Sequence, residues 1–345
     1  MEKGTKKEEK KNSIGNENGD VKMEEEEEEK ENTKNNSHLP SKKNNIKEGS
    51  YETLNTSLNT NYSSTTSQSL ESLSSKFNPR KPNLEYLYNL EYLDEMYPNF
   101  LLEEYNSKNR IKNGYMNEQT YINFNMRAIL VDWLVDVHYR YHFKRKTLFQ
   151  TILLIDLYLS KKKIEREKFQ LLGSASLFIA VKQNEIYFPP TVDFVHITDD
   201  AYSVAQLIEM EKEILKILNF EILTPTADDF YHILSKIFNF NIKQINLGEY
   251  FLESSLVDYF MITKYQPSII GVATIYIVMK YCGMDGYKEL YSSKITLGHF
   301  NEKQIKECAK DLCFLVRNLA HSNIRSVRNK FSSIEYGNVA EFVEH

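Results

Sequence analysis

Met126-Arg-Ala-Ile-Leu-Val-Asp-Trp-Leu-Val-Asp-Val137 constrains the fold of this chain more than any other stretch. Met126, Ile129, Leu130, Trp133, Leu134 and Val137 recur at i, i+3, i+4, i+7, i+8 and i+11, the stripe of a helix laid on a core. Trp133 is the only tryptophan of the chain. Arg127 and Asp132 interrupt the apolar surface, and a charge placed there needs a partner if the helix is to be buried.

The same helical period returns along most of the chain beyond Val137. It marks Leu148 to Leu159, Phe169 to Val181, Glu302 to Leu319 and the apolar run Ile269 to Met279. Gly173, Ser174 and Ala175 are small enough to let a second helix approach closely. Ser203-Val-Ala-Gln206 reads as a capping box opening a helix that carries Leu207, Met210, Ile214 and Ile217. Thr224-Pro225 places a cap and a first-turn proline before Phe230-Tyr-His-Ile-Leu234. Leu256 to Thr263 reads as one further helix. Leu84 to Met96 is also helical in period, and Pro98 is expected to stop it. No hairpin dipeptide sits between alternating runs, so the expected fold class is all-α. The boundary at Pro225 leaves about five helical segments on either side.

Residues 1 to about 79 are different material. Lys, Glu, Asn and Ser dominate, with an acidic run from Glu24 to Glu29 and the polar text Ser63-Ser-Thr-Thr-Ser-Gln-Ser69. Such a segment buries too little apolar area to offset its ordering entropy, so a disordered tail is expected.

Composition excludes several functions. A net charge of −5 gives no basic field for nucleic acid. Ile269 to Met279 is well short of the ~20 residues that span a bilayer, and Met1-Glu-Lys-Gly opens without the apolar core of a secretory signal. Cys282, Cys308 and Cys313 are too few and too scattered for a disulfide framework or a metal set. His138 and His142 have metal-ligand spacing on a helix, but no third ligand accompanies them and they read as a surface or packed pair. There is no phosphate loop and no nucleophile constellation, so neither a cofactor nor catalysis is expected.

Several words in order resemble the cyclins, specifically the A- and B-type mitotic group. They are Met126 to Leu134, Leu153-Leu-Ile-Asp156, Lys168-Phe-Gln-Leu-Leu-Gly173, Lys182 with Glu185-Ile-Tyr187 and Pro189-Pro190, Phe194 to Asp200, Met210 to Leu218, Lys264-Tyr-Gln-Pro-Ser-Ile-Ile270, and Ile324 to Phe331. The resemblance implies two tandem five-helix cyclin boxes preceded by an N-terminal helix. The organisation is then a disordered tail (1–79), an N-terminal helix and linker (80–125), a first box (126–223), a second box (224–325) and a C-terminal extension (326–345).

The resemblance further implies a non-catalytic subunit that docks on a cyclin-dependent Ser/Thr kinase and activates it. Lys182, Glu185, Ile186, Glu211, Phe220 and Ile222 match kinase-contact positions. Gln183 and Asn184 depart from the family pattern, and Phe188 is an extra residue, all of which bear on kinase choice. Arg127 and Asp156 match an ion pair buried between the first two box helices. Met126, Ile129, Leu130, Trp133, Phe169 and Gln170, with Asp136 and Arg166 at the rim, match a groove that takes Arg-x-Leu peptides of substrates and inhibitors. Lys30, Glu31 and Asn32 together spell a degron, implying ubiquitin-ligase machinery as a partner of the tail. The family implies residence in nucleus and/or cytoplasm. The alternatives are a transcription-type cyclin and a cyclin-fold peptide-binding scaffold that activates no kinase.

Overall fold

The computed structural model describes residues 93–286, 290 and 301–344, and these form helices and turns without a strand. The first helix, α1, spans Leu93–Asn106. Five more lie in the first half: α2 (Phe124–Arg140), α3 (Arg145–Leu159), α4 (Phe169–Asn184), the short α5 (Asp193–His196) and α6 (Val204–Ile217). The second half holds α7 (Ala227–Ile237), α8 (Ile242–Val257), α9 (Tyr259–Lys264), α10 (Pro267–Tyr281) and α11 (Glu302–Ala320). The short α12 (Ser326–Phe331) and α13 (Val339–Glu344) complete the described residues.

Each half wraps around one helix that is buried without interruption. In the first it is α4, buried from Leu171 to Val181 and packed by α2, α3 and α6. In the second it is α10, buried from Ser268 to Ile275 and packed by α7, α8 and α11. A helix that is apolar all round has no face for water, which places it at the centre. Each central helix carries glycine at its fifth position. A Cβ on Gly173 would lie 2.9 Å from Leu130 of α2, and one on Gly271 would lie 2.9 Å from Phe230 of α7. The two halves thus share a close helix crossing, marked in the first sequence half by Gly173-Ser-Ala175 and in the second by Gly271.

Most expected elements form, with local differences. The Ser203–Gln206 capping box is present. Pro98 does not end its helix: α1 runs through it to Asn106. An interior proline costs about 3 kcal/mol, but Tyr97 and Phe100 set their rings edge-on to Phe230 at 5.8 and 6.1 Å and Leu101 is buried, so packing on α7 outweighs the lost bond. The earlier residues of that expected helix, 84–92, lie outside the described residues. So does the whole expected degron, Lys30, Glu31 and Asn32. Thr226, rather than Thr224, caps α7; its N–H and hydroxyl both donate to Asp229, at 2.9 and 2.8 Å. Pro225 therefore precedes the helix instead of opening it. The run Leu256 to Thr263 is broken at Asp258, whose carboxylate accepts the N–H groups of Phe260 and Met261 and starts α9. Among the described residues no helix is long and apolar enough to cross a membrane.

Candidate partner-docking faces

Lys182 closes the last turn of α4 and Glu211 stands on α6, and their side chains form an ion pair. The ammonium also lies 4.0 Å from the centre of the Phe178 ring. Lys182 keeps 34% of its side chain exposed and Glu211 14%. The pair is therefore held in place from below while its outer side stays open, an arrangement that leaves hydrogen-bonding capacity for a partner.

Two chain segments border this pair. Glu185 follows α4 and turns inward: its carboxylate accepts the Lys144 N–H at 2.7 Å and the Thr147 hydroxyl at 2.5 Å, supplying the cap that Lys144 itself does not give α3. One turn further along α3, Gln150 donates to the carbonyl of Ile222. Thr147 and Gln150 thereby set both segments along one side of α3. Beyond Glu185 the side chains of Ile186 (72%), Tyr187 and Phe188 are exposed; beside Ile222, Phe220 (69%) and Leu223 are exposed too. Phe220 is held outward by a left-handed backbone, φ 58°, directly after Asn219 at φ 52°. Ile222 itself packs partly against the core. Of the six expected contact residues, Lys182, Ile186, Glu211 and Phe220 face outward on this side. Glu185 is engaged internally as a helix cap, so its charge is already committed. Gln183 has a buried Oε1 without a partner, and Asn184 turns back to donate to Ala180 O at 3.0 Å.

The second face follows from the Leu130–Gly173 crossing. It sets Met126 and Leu130 of α2, one turn apart, beside Phe169 of α4, one turn before Gly173. These three are buried; Ile129, Trp133 and Gln170 are half-buried. Asp136 pairs with Arg140 on its own helix at 2.9 Å, and Arg166 is exposed in the turn ahead of α4. The eight residues thus divide into a floor and a thinner accessible edge.

Beneath both faces lies a buried polar node. Arg127, with no exposed side-chain area, donates from Nε and Nη2 to the two oxygens of Asp156, both at 2.7 Å. Its Nη1 donates to the carbonyls of Leu256 and Val257, at 2.9 and 3.3 Å. The Tyr115 hydroxyl donates to Asp156 at 2.6 Å, and burial, then the Asp156 charge, push its pKa well up. The pair was expected to join the first two box helices; it also satisfies the carbonyl end of α8, so it ties the two halves together.

Comparison with known proteins gives this architecture a family. The family model "Cyclin, N-terminal domain" matches residues 95–223, and "Cyclin, C-terminal domain" matches residues 225–345. The chain belongs to the cyclin family. It is 36% identical over 250 residues to the G2/mitotic-specific cyclin-A of Patella vulgata, covering 72% of this chain and 58% of that one. It is 34% identical over 254 residues to the G2/mitotic-specific cyclin-B of Spisula solidissima, covering 73% and 57%. The chain thus spans less than two thirds of the length of these relatives. A viral cyclin from herpesvirus saimiri shares the fold, with a TM-score of 0.55 at 15% identity over 64% of this chain and 97% of that one. The two halves are therefore tandem cyclin boxes.

In this cyclin several functional-looking side chains are structural. His138 is buried and its Nε2 meets the Lys144 carbonyl at 3.1 Å, while His142 is exposed beyond the end of α2 at φ 53°. Burial, then the Lys330 charge, hold the His138 pKa well below the usual imidazole range. Among the described residues no cluster of His, Cys, Asp or Glu could hold a metal. Three devices escaped sequence reasoning: Tyr115, the Glu253–Lys330 ion pair and the Glu104 carboxylate that accepts the Ser268 N–H at the start of α10. Of these only Glu253 leaves a sequence trace, a charge inside an otherwise buried stretch.

Asp132 of the opening helix has a titration consequence. Its carboxylate accepts the Ser326 N–H at 2.8 Å, starting α12. Burial pushes its pKa up to about 6, and the bonds from Ser326 oppose that only in part. The folded state therefore holds this proton more tightly than the unfolded state. Its contribution is full below the unfolded value near 4 and is lost as pH rises through 6. Asp132→Asn keeps an acceptor for Ser326 and removes the ionisation. Urea unfolding should show the variant gaining about 1–2 kcal/mol relative to the parent between pH 4.5 and 7.5. An unchanged difference at the two pH values would mean that the carboxyl ionises as it does in water.

Proposed function

We propose that this chain is the regulatory subunit of a cyclin-dependent Ser/Thr kinase of the mitotic type, itself without catalytic chemistry. The carrying observation is the half-open Lys182–Glu211 pair flanked by exposed Ile186, Tyr187, Phe220 and Leu223. An apolar patch around a pre-formed ion pair suits an α-helical partner: the patch supplies area and the pair fixes register. For activation, the interface must bind the active arrangement of the kinase better than the inactive one. The element to be moved is the mobile kinase helix whose glutamate pairs with the ATP-positioning lysine. The names of the relatives and the match of both boxes support the mitotic reading over a transcription-type cyclin.

The groove of α2 and α4 is the proposed site for Arg-x-Leu segments of substrates and inhibitors. Ile129 and Trp133 offer apolar contact, and Asp136 is the acid for the peptide arginine. The Arg140 side chain now holds that acid and must yield to the incoming arginine. Lys30, Glu31 and Asn32 as a degron for ubiquitin-ligase machinery, and residence in nucleus and/or cytoplasm, go with this reading.

One assay tests both sites. The full chain is added to a purified, activation-loop-phosphorylated mitotic cyclin-dependent kinase, with histone and with a substrate carrying an Arg-x-Leu segment. Stimulation should fall at least ~10-fold on both substrates in a Lys182→Ala/Glu211→Ala variant of unchanged helical content, about 1.4 kcal/mol in coupling. Trp133→Ala should reduce only the second substrate's rate. A folded parent that neither binds nor stimulates any of several such kinases would reject the mitotic reading. Peptide binding without stimulation would establish the scaffold instead.

A further inference from the structure

Between the two boxes lies a cavity of about 200 Å3 that neither docking face uses. Phe149, Ile152 and Leu153 of α3 form one wall; Leu256, Ile262 and Ile270 of the second box form the other. Several polar groups along it are already bonded. Ser107 donates to Asn109 O at 2.8 Å, Ser255 to Leu252 O at 2.6 Å and Thr263 to Tyr259 O at 2.9 Å. Asp156, in the wall, is held by Arg127 and Tyr115. A water needs two to four polar partners to settle in such a space. The lining is mostly apolar and these hydroxyl protons are already donated, so an apolar occupant is favoured.

The mouth is charged, and most of its charge is matched. The Glu104 carboxylate accepts the Ser268 N–H at 2.9 Å and its hydroxyl at 2.5 Å. Lys264 pairs with Glu307 at 3.0 Å and Asp311 at 2.7 Å. Arg110 differs: among the described residues its guanidinium meets only the carbonyls of Glu104 and Tyr105 at the end of α1, and the residue is exposed. Both bonds leave from Nη2, so Nε and Nη1 remain as charged single donors for an anion at the rim of an apolar hole.

The geometry points to a ligand site for a small amphipathic carboxylate, its aryl or alicyclic body between the boxes and its carboxylate on Arg110. An apolar hole of about 150 Å3 takes a benzene-sized ring, so this one has room for a ring and a short linker. Such a ligand has roughly a dozen heavy atoms and binds with Kd on the order of 0.1–1 mM. The site is independent of the kinase reading.

The test uses the full chain with labelled isoleucine methyl groups and two probes, 3-phenylpropionate and 3-phenyl-1-propanol. Both should shift the Ile152, Ile262 and Ile270 methyl signals saturably, the carboxylate about 3–10-fold more tightly. Arg110→Gln should bring the carboxylate down to the alcohol's affinity and leave the alcohol unchanged. Leu153→Trp, at a half-buried wall position, should abolish both. The proposal is overturned by absence of saturable shifts up to about 10 mM, by shifts that persist in Leu153→Trp, or by a carboxylate affinity that ignores Arg110→Gln.

Discussion

Asp156→Ala is expected to cost about 3–5 kcal/mol of unfolding free energy, a large part of the roughly 5–15 kcal/mol that holds a domain folded. The loss comes less from the missing attraction than from what remains. Arg127 keeps its charge, has no exposed area and cannot reach water. Burial alone would lower its affinity for the proton, yet the Asp156 charge raises its pKa above the ordinary arginine value. Without Asp156 that compensation is gone. Tyr115 loses its acceptor in the same step, leaving a second buried polar group unpaired, at about 1–3 kcal/mol. Replacing both partners, Arg127→Met with Asp156→Leu, removes the stranded charge and should recover part of the loss. Recovery stays incomplete because the Leu256 and Val257 carbonyls lose the donor that Arg127 brings from the first box. Urea unfolding of the parent, the single variant and the double variant checks this. A single variant within about 1 kcal/mol of the parent would mean that water reaches the node. With the expected destabilisation, a loss of the proposed kinase stimulation in Asp156→Ala follows from unfolding, unlike the loss expected of Lys182→Ala/Glu211→Ala.

Helix positions were largely legible in the sequence, because an apolar stripe is a local pattern and burial is what it encodes. Both central helices, α4 and α10, announce themselves as runs without a polar face. Errors fall where a long-range contact, or a competing local cap, overrides the simpler rule. Pro98 should end a helix, and does not, because the rings on either side of it rest on Phe230 more than a hundred residues away. Leu256 to Thr263 has helical period throughout, but Asp258 is free to accept two N–H groups and restarts the helix. Pro225 suits a first helical turn, yet Asp229 recruits Thr226. At the candidate docking faces, Lys182 and Glu211 were singled out through family resemblance; their residue types alone fit any exposed pair. Glu185 was grouped with them, and nothing local tells that its carboxylate turns inward to start α3. The Arg110 rim was invisible, since the cavity behind it exists only once the boxes meet.

Lys330→Met is expected to destabilise this cyclin by about 3–5 kcal/mol as well, through the opposite charge. Lys330 lies in α12 and is 3% exposed; it bonds Glu253 of α8 at 2.5 Å, and Glu253 is wholly buried. Burial lowers the lysine pKa while Glu253 supports its charged form, so each ion depends on the other. Glu253 is the more exposed to loss, because its second oxygen has no hydrogen-bond partner among the described residues. Methionine replaces most of the lysine stem but not the ammonium that lies 5.2 and 5.3 Å from the Phe331 and Tyr336 rings, so the predicted cost is the stranded carboxylate together with those cation–π contacts, with little loss of packing. Glu253→Leu added to Lys330→Met should therefore recover most of the stability, more fully than the Arg127/Asp156 replacement, since Lys330 supplies no backbone carbonyl with a donor. The consequence for structure is local first. α12 is held at its start by Asp132 of the first box and at its end by Glu253 of the second, so cutting the second tie leaves residues 326–344 on the first and on apolar packing such as that of Phe331 on Tyr250. Amide exchange should rise across that segment in Lys330→Met before it rises in α4. Uniform acceleration in both would mean that the extension unfolds only with the boxes, and that the Lys330 pair is not its separate anchor.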